Sequence, residues 1–350
     1  MATRRANIRD VAKASGVSLT TVSLVLNKQD HRISEGTRQR VLAAMESLQY
    51  TPSRLARGLP NRRANTLAVL VPALQHAFAD VYFGQIISGI YEVAADRGYR
   101  ILLEVARPSY VKRKEYLTLL DDCSVDGILF LGATDEHTWL ADFHASNRPL
   151  VVVNNTFEQW ELNSVVCDYA EAGRIAANHL YELGHRRIGH IAGPADVVAT
   201  SRELSETFLQ RLRERGVWVD DRLVVDGQFQ VETGRLAADE LLARDPELTA
   251  IFAANDKMAL GAYQAVRAIG KRPGEDVSIV GCDDIPPAAL ADPALTTIRM
   301  NFLRVGETAC AKLLDHIESR NGKEGALAER VGVELVERDS CVPLASAASR

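Results

Sequence analysis

Asn7-Ile8-Arg9-Asp10-Val11-Ala12-Lys13-Ala14-Ser15-Gly16-Val17-Ser18-Leu19-Thr20-Thr21-Val22-Ser23-Leu24-Val25-Leu26 decides how the chain begins to fold. Asn7 is a good N-cap, because its short side-chain oxygen can accept from the free amides of a first helical turn. Gly16 can take the left-handed conformation that ends such a helix. Ser18 offers a second N-cap, and the next helix closes near Asn27. Val22, Val25 and Leu26 recur at i, i+3 and i+4, so they face a core and leave Leu19, Thr20, Ser23 and Leu24 mostly outside. Ser34 caps a third helix with Val41, Leu42, Met45 and Leu48 as its expected buried stripe. Two short helices joined by a glycine turn, plus a third, make the helix-turn-helix plan, whose second helix enters a major groove.

Working outward, charge separates this segment from the rest. Residues 1–63 hold 12 Lys+Arg against 4 Asp+Glu, a balance of +8, while the remaining residues hold 29 against 42, a balance of −13. A basic segment on an acidic body points to a polyanion partner for that segment alone. The 350 residues suffice for two or three domains. No apolar run approaches the roughly 18 residues of a membrane span, and no apolar signal core follows the N-terminal charges, so the expected location is the cytoplasm, with no membrane partner. The five cysteines, Cys123, Cys167, Cys282, Cys310 and Cys341, form no Cys-x-x-Cys pair. We therefore expect reduced thiols, no metal site and no cofactor.

The N-terminal segment resembles the headpiece of the lactose-repressor (LacI/GalR) family. The resemblance lies in Asn7-Ile8-Arg9-Asp10-Val11-Ala12, Gly16-Val17-Ser18, Thr21-Val22-Ser23 and Val25-Leu26-Asn27. It continues through Thr37-Arg38, Arg40-Val41-Leu42 and Leu48-Gln49-Tyr50-Thr51-Pro52. It implies that the start of the second helix, from Ser18, meets operator DNA, with Leu19, Thr20 and Leu24 at base-reading positions. Thr21, Ser23 and Asn27 suit phosphate contacts, which set register without reading sequence. Relatives often carry Arg where this chain has Leu24, and Leu cannot make the bidentate contact to guanine that Arg makes. The turn at 28–32 is about one residue longer than usual. Its charges are either solvated or place His31 beside a phosphate.

Residues 52–59 are helix-capable but too short to be stable alone. Pro52-Ser53-Arg54-Leu55-Ala56-Arg57 resembles the family's hinge helix, which forms when two subunits sit side by side on DNA. By that likeness the protein is a homodimer, and Leu55 is the wedge that opens a minor-groove step. Ala56 and Arg57 lie with it against the DNA. Gly58 is either a C-cap or a residue that weakens the helix.

Beyond residue 63, short apolar runs alternate with helices. Strands are expected at 66–71, 100–103, 127–131, 150–153, 187–191, 250–254 and 277–281, and helices over 84–97, 169–183, 231–244 and 256–269. Such alternation predicts parallel sheets covered on both faces, and seven or more units fit two sheets better than one. Ligands of such sheets bind beyond the carboxyl ends of the strands, here between two lobes. The resemblance extends over the whole chain, through Leu183-Gly184-His185-Arg186-Arg187-Ile188, Ala253-Ala254-Asn255-Asp256 with Met258-Ala259-Leu260-Gly261, and Pro293-Ala294-Leu295-Thr296-Thr297-Ile298. It implies an effector-binding core similar to periplasmic sugar-binding proteins, crossing between lobes near residues 164, 294 and 325. The fold class is therefore α/β, an all-α helix-turn-helix headpiece on a two-lobed core of parallel sheets. The expected divisions are a headpiece at 1–51, hinge and linker at 52–63, and a core at 64–350. The first lobe would span about 64–163 and 295–325, the second 164–294 and 326–350.

Several cleft residues follow by position from the resemblance. Tyr82 and Phe83 either stack on ligand or pack in the core. Asn154 follows a first-lobe strand and faces the same mouth. Phe229 matches an aromatic wall of the second lobe. Asn255 and Asp283 match polar groups that hold hydroxyls or ring nitrogens, although Asp283, beside Asp284, also reads as a turn or cap. At the position where relatives often place an arginine clamp this chain has Leu204, with Thr207 for a glycine, and Arg202 substitutes only if the local turn differs. The connection at 73–81 is about four residues longer than usual and brings His76 and Asp80 to the rim. These departures argue against a common hexose and leave sugars, sugar acids, polyols and nucleosides as effector classes.

Ser109-x-x-Lys112 has no companion motif and reads as chance, and no Walker loop, Gly-x-Ser-x-Gly or His-Glu-x-x-His is present. The expectation is a non-enzymatic, DNA-binding repressor whose operator affinity answers to a small polar ligand. The competing reading is a sugar-binding transport protein, or a ligand-binding core without regulatory DNA binding. The basic headpiece and the missing export signal count against it.

Overall fold

A computed structural model describes residues 6–26, 33–50, 63–73, 80–146, 148–157, 159–319 and 328–344. The expectations for Asn27, for the turn at 28–32 with His31, for the hinge at 52–59 with Leu55, Ala56, Arg57 and Gly58, and for His76 lie outside these residues.

The headpiece begins with α1 (Ile8–Ser15), α2 (Leu19–Leu26) and α3 (Glu35–Ser47). Asn7 Oδ1 accepts from the amides of Arg9 and Asp10, and Asp10 Oδ2 accepts from the Asn7 amide at 2.9 Å, a reciprocal capping box. Gly16 ends α1 at φ 66°. Ser18 Oγ accepts from the Thr21 amide at 3.1 Å. Val11, Ala12, Val22, Val25, Val41 and Ala44 form the buried centre, flanked by Ile8, Val17, Leu26, Ile33, Met45, Leu48 and Tyr50. One member of the expected stripe is corrected, since Leu42 is 39% exposed and Ala44 takes the inner position. Positions 41, 44, 45 and 48 fall on one helical face, and residue 42 lies about 100° away from Val41.

The core carries two six-stranded sheets. In chain order the elements of the first are β1 (Thr66–Pro72), α4 (Val81–Asp96), β2 (Arg100–Ala106), α5 (Pro108–Lys112), α6 (Glu115–Asp121), β3 (Gly127–Leu131), α7 (Ala141–Ser146), β4 (Leu150–Val153) and β5 (Ser164–Cys167). The chain then builds α8 (Tyr169–Glu182), β6 (Ile188–Ala192), α9 (Ala199–Glu214), β7 (Val224–Asp226), α10 (Val231–Arg244), β8 (Ala250–Ala253), α11 (Asp256–Ala268), β9 (Ser278–Asp283), α12 (Pro286–Leu290) and β10 (Thr296–Arg299). It returns with α13 (Phe302–Glu318) and β11 (Ala328–Val331), and crosses once more to β12 (Glu334–Val336).

The sheet orders are β11-β5-β4-β3-β1-β2 and β12-β10-β9-β8-β6-β7. Apart from the edge strand β12, which runs antiparallel to β10, each lobe repeats one doubly wound plan. Strands β3, β4 and β8 are buried at every position, as expected where helices cover both faces. The crossings fall later than expected: β5 and β11 belong to the first sheet and β10 to the second. Single apolar runs cannot reveal this, because a buried strand reads alike in either sheet and its neighbour alone decides its lobe.

Helices α4 and α13 cover one face of the first sheet at close range. A Cβ on Gly89 would lie 2.1 Å from the Leu303 carbonyl oxygen, and one on Gly306 would lie 2.1 Å from that of Ile86. Glycine lets the two backbones touch, and this seats the N-terminus of α4 over the strand ends.

Candidate functional site

On the headpiece, the face of α2 opposite the core carries the residues singled out for DNA. Ser18, Leu19 and Thr20 are exposed, Leu19 at 44%, while Thr21, Ser23 and Leu24 are partly exposed. An exposed leucine beside hydroxyls is a surface that can meet a thymine methyl and phosphate oxygens together.

In the core, the carboxyl ends of the strands of both lobes gather the second group. Asp80 caps α4, its Oδ1 accepting from the Tyr82 amide at 3.0 Å, so the helix begins at Val81, earlier than the expected residue 84. The two readings of Tyr82 and Phe83 separate here. Phe83 is 6% exposed and packs at Pro72 and Gly132, at the ends of β1 and β3. Tyr82 stays partly exposed, edge-on to Phe83 and to Phe302 with ring centroids 4.9 Å apart in each case.

Asn154, just beyond β4, is 5% exposed and at φ 59°. Its Nδ2 donates to the hydroxyls of Tyr82 (3.2 Å) and Tyr169 (2.7 Å), and its Oδ1 accepts from the Cys167 amide at 3.2 Å. The residue expected to face ligand instead spends its amide on fixing two tyrosines and the first crossing. Burial raises both tyrosine pKa values, so the hydroxyls stay protonated. The sequence does not single out Tyr169, because at the start of an amphipathic helix it reads as packing. The neighbouring Asn155 is not singled out either. Its Nδ2 donates to the Ala133 carbonyl at 2.7 Å, and its buried Oδ1 has no partner among the described residues.

In the second lobe, Gln228 and Phe229 adopt left-handed backbones, at φ 50° and 58°. That conformation is uncommon for side-chain-bearing residues and is held here by neighbours. Asn255 Nδ2 donates to the Phe229 carbonyl at 3.3 Å, and the Phe229 ring lies where a Cβ on Gly193 would be, 2.4 Å from its edge atoms. Asn255 is also the N-cap of α11, its Oδ1 accepting from the Met258 amide at 2.9 Å.

Asp283 and Asp284 divide the two roles left open by sequence. Asp284 is structural, bound to Arg299 Nε at 2.8 Å and Arg338 Nη2 at 2.6 Å. Asp283 ends β9 at φ 125°, and among the described residues no side-chain hydrogen bond reaches its carboxylate. Burial pushes its pKa well above the carboxylate range, with the negative Asp256 adding to the rise and Lys257 opposing it. Asp256, beneath it, accepts from the Ile285 amide at 2.8 Å and from the Thr297 hydroxyl. Burial pushes Asp256 up to about 7 against both hydrogen bonds. The floor of the second lobe thus offers one unengaged acidic group above a satisfied one.

Arg202 does not take the place of the missing clamp. Its Nη1 donates to the Ala195 carbonyl at 2.6 Å and its Nη2 to Asp135 of the first lobe at 3.3 Å. Leu204 is buried in the second-lobe core, so no charge stands at that position. Among the described residues no group of three or more His, Cys, Asp or Glu could hold a metal ion, and no helix is long and apolar enough to cross a membrane.

Comparison with known proteins places both regions. Residues 7–53 match the family of bacterial regulatory proteins of lacI type, and residues 177–341 match a periplasmic binding protein-like domain. The transcriptional repressor PurR of Vibrio atlanticus is 32% identical over 337 residues, 96% of this chain and 98% of its own. The repressor CytR of Escherichia coli is 33% identical over 335 residues, 96% of each chain. A lac repressor dimer bound to operator and the anti-inducer ONPF is 28% identical, covering 97% of this chain and all of that one, with a TM-score of 0.85. A complex of the regulator CelR with cellobiose is 30% identical, covering 96% and 100%, with a TM-score of 0.73. With likeness of this depth along nearly its whole length, the chain belongs to the lacI family of bacterial regulatory proteins.

Proposed function

We propose that this protein is a transcriptional repressor that binds operator DNA as a homodimer and releases or holds it according to a small polar ligand in the cleft. One observation carries the reading. An exposed helix-turn-helix surface and a two-lobed core with an unengaged acidic group at its strand ends occur on one chain, and its relatives along 96% of it are repressors. Leu19, Thr20 and Leu24 read bases, while Ser18, Thr21 and Ser23 hold phosphates. Leu24 gives up guanine contact for apolar contact, so the preferred site differs from that of relatives with Arg there.

In the cleft, Tyr82 and Phe229 supply aromatic faces, and Asn255 and Asp283 supply the polar recognition of a hydroxyl-bearing ligand. Asn154 and Arg202 act one step back, the first by fixing Tyr82 and Tyr169 and the second by tying the lobes. The relatives are repressors rather than enzymes.

The test is selection of duplex DNA from a random pool, followed by titration of the selected duplex at several salt concentrations. A repressor of this kind shows affinity falling steeply and log-linearly with salt, and loses binding when residues 1–59 are deleted. Salt-independent or undetectable binding would favour the transport-protein reading. Thermal-shift screening against polyols, sugars, sugar acids and nucleosides then finds the ligand, which raises the melting temperature by binding only the native core.

A further inference from the structure

The lobes are joined by three crossings of the chain, but also by side chains that pair across the cleft. Lys257 Nζ, in the first turn of α11, lies 2.7 Å from Oδ2 of Asp80 on the first lobe. Arg202 on α9 reaches Asp135, just beyond β3, at 3.3 Å, and beside it the Asp135 amide donates to the Val197 carbonyl at 2.9 Å. In both pairs the first lobe supplies the acid and the second lobe the base.

The placement of Asp80 and Lys257 is unusual in physical terms. A cation in the first turn of a helix faces the positive end of its dipole and is disfavoured there. Lys257 stands in that turn, two residues from Asn255, and its ammonium group pairs with an acid of the other lobe. Asp80 divides its carboxylate, with Oδ1 on the Tyr82 amide of its own lobe and Oδ2 on Lys257 of the opposite one. Each side chain is about one-quarter exposed, at 26% and 25%. The pair is therefore neither buried nor fully screened. Parting the lobes breaks it, leaving Lys257 against the dipole and the α4 cap with one partner fewer.

From this geometry we infer that Asp80–Lys257 and Asp135–Arg202 are latches that hold the two lobes closed. Lys257 and Arg202 thereby act as positioning residues for the cleft rather than as ligand clamps. The cleft mouth opens only as these pairs separate, so they govern how fast a ligand enters and leaves more than which ligand is chosen. The latch itself stands on the ion pairs, and only its consequence for ligand rests on the reading of the cleft given above.

Hydrogen–deuterium exchange of the full-length chain, with no ligand added, tests it. Lys257→Met is read on peptides covering residues 81–90 of the first lobe, and Asp80→Asn, which keeps a capping side chain, on peptides covering 256–262 of the second. Each substitution is expected to speed exchange across the cleft by roughly 3- to 5-fold, the scale of a partly exposed pair. The double variant should be no faster than either single one, because both remove the same interaction. Sodium chloride at about 1 M should speed exchange more in the parent than in the variants, which keep only the Asp135–Arg202 latch for salt to screen. Changes confined to the mutated lobe, or additive effects in the double variant, would overturn the inference. Because no ligand is present, such a failure is independent of whether the cleft binds one.

Discussion

Replacing Gly306 by Ala should weaken the first lobe, although alanine is the better helix former. The new Cβ would sit 2.1 Å from the Ile86 carbonyl oxygen and 3.0 Å from the Ile90 nitrogen, both backbone atoms of α4. Ordinary contact begins near 3.4 Å, so the helices must part by roughly 1 Å along most of their contact. Overpacking of this kind costs about 1–3 kcal/mol, and more where rigid backbone is the obstacle. Removing a mid-helix glycine returns at most about 1 kcal/mol. The clash therefore wins, by about 2 kcal/mol, or roughly 4–8 °C in melting temperature for a domain of this size. Gly84 on α4 is the internal control. A Cβ there meets nothing within 4 Å, so Gly84→Ala should raise the melting temperature by a few degrees on propensity alone. Thermal melts of both variants followed by circular dichroism decide it. Trp139 and Trp160 fluorescence reports the first lobe, and Trp218 the second. A midpoint for Gly306→Ala equal to or above the parent's would refute the argument that glycine is required for close approach of α4 and α13.

Other outcomes follow from the same structure. Asp256 has its folded pKa raised to about 7, so its contribution to stability is fully present below the unfolded carboxylate pKa and is lost as pH rises through 7. The stability difference between parent and Asp256→Asn should therefore shrink or reverse as pH rises from 4 to 8, measured by urea titration at each pH, and a pH-independent difference would contradict it. His190, buried between Phe252 and Phe208 and bonded to the Phe252 carbonyl and Ser205, has its pKa pushed down to about 4 by burial. Its imidazole resonances should not shift in a nuclear magnetic resonance titration until pH falls below about 5. Leu19→Ala should leave headpiece stability within about 0.5 kcal/mol, as for an exposed site, yet reduce affinity for the selected duplex. Leu24→Arg should introduce a preference for a G·C pair at one position of each half-site, worth about 1–3 kcal/mol against the wrong base, as read by repeating the selection.

Some of this is legible in the amino-acid sequence alone. Asn7, Gly16, Ser18 and Ser34 announce their caps locally, because a cap needs only a few neighbouring residues to form its hydrogen bonds. The run Ile128–Leu131 and its counterparts announce buried strands by composition. What could not be read were assignments that depend on distant partners. Strand Ser164–Cys167 sits beside Leu150–Val153 in the first sheet, and Thr296–Arg299 beside Ser278–Asp283 in the second, although nothing in either tetrapeptide says so. The aromatic pair at 82–83 looked ambiguous because consecutive residues on a helix point about 100° apart, and only the packing of α4 shows which of them turns inward.

The amino-acid sequence by itself determined the caps and apolar periods of the headpiece, the alternation that makes two doubly wound lobes, and the family to which the chain belongs. These are properties of short stretches, in which propensity and spacing act within a few residues. Only the tertiary structure decided the duties of the polar groups. It turned Asn154 toward two tyrosines, gave Asp284 its arginines, left the Asp283 carboxylate without a hydrogen bond among the described residues, and spent Arg202 and Lys257 on acids of the opposite lobe. Those duties are set by which oxygen and nitrogen atoms come within about 3 Å of one another across many tens of residues. The folded arrangement of the two sheets creates that proximity.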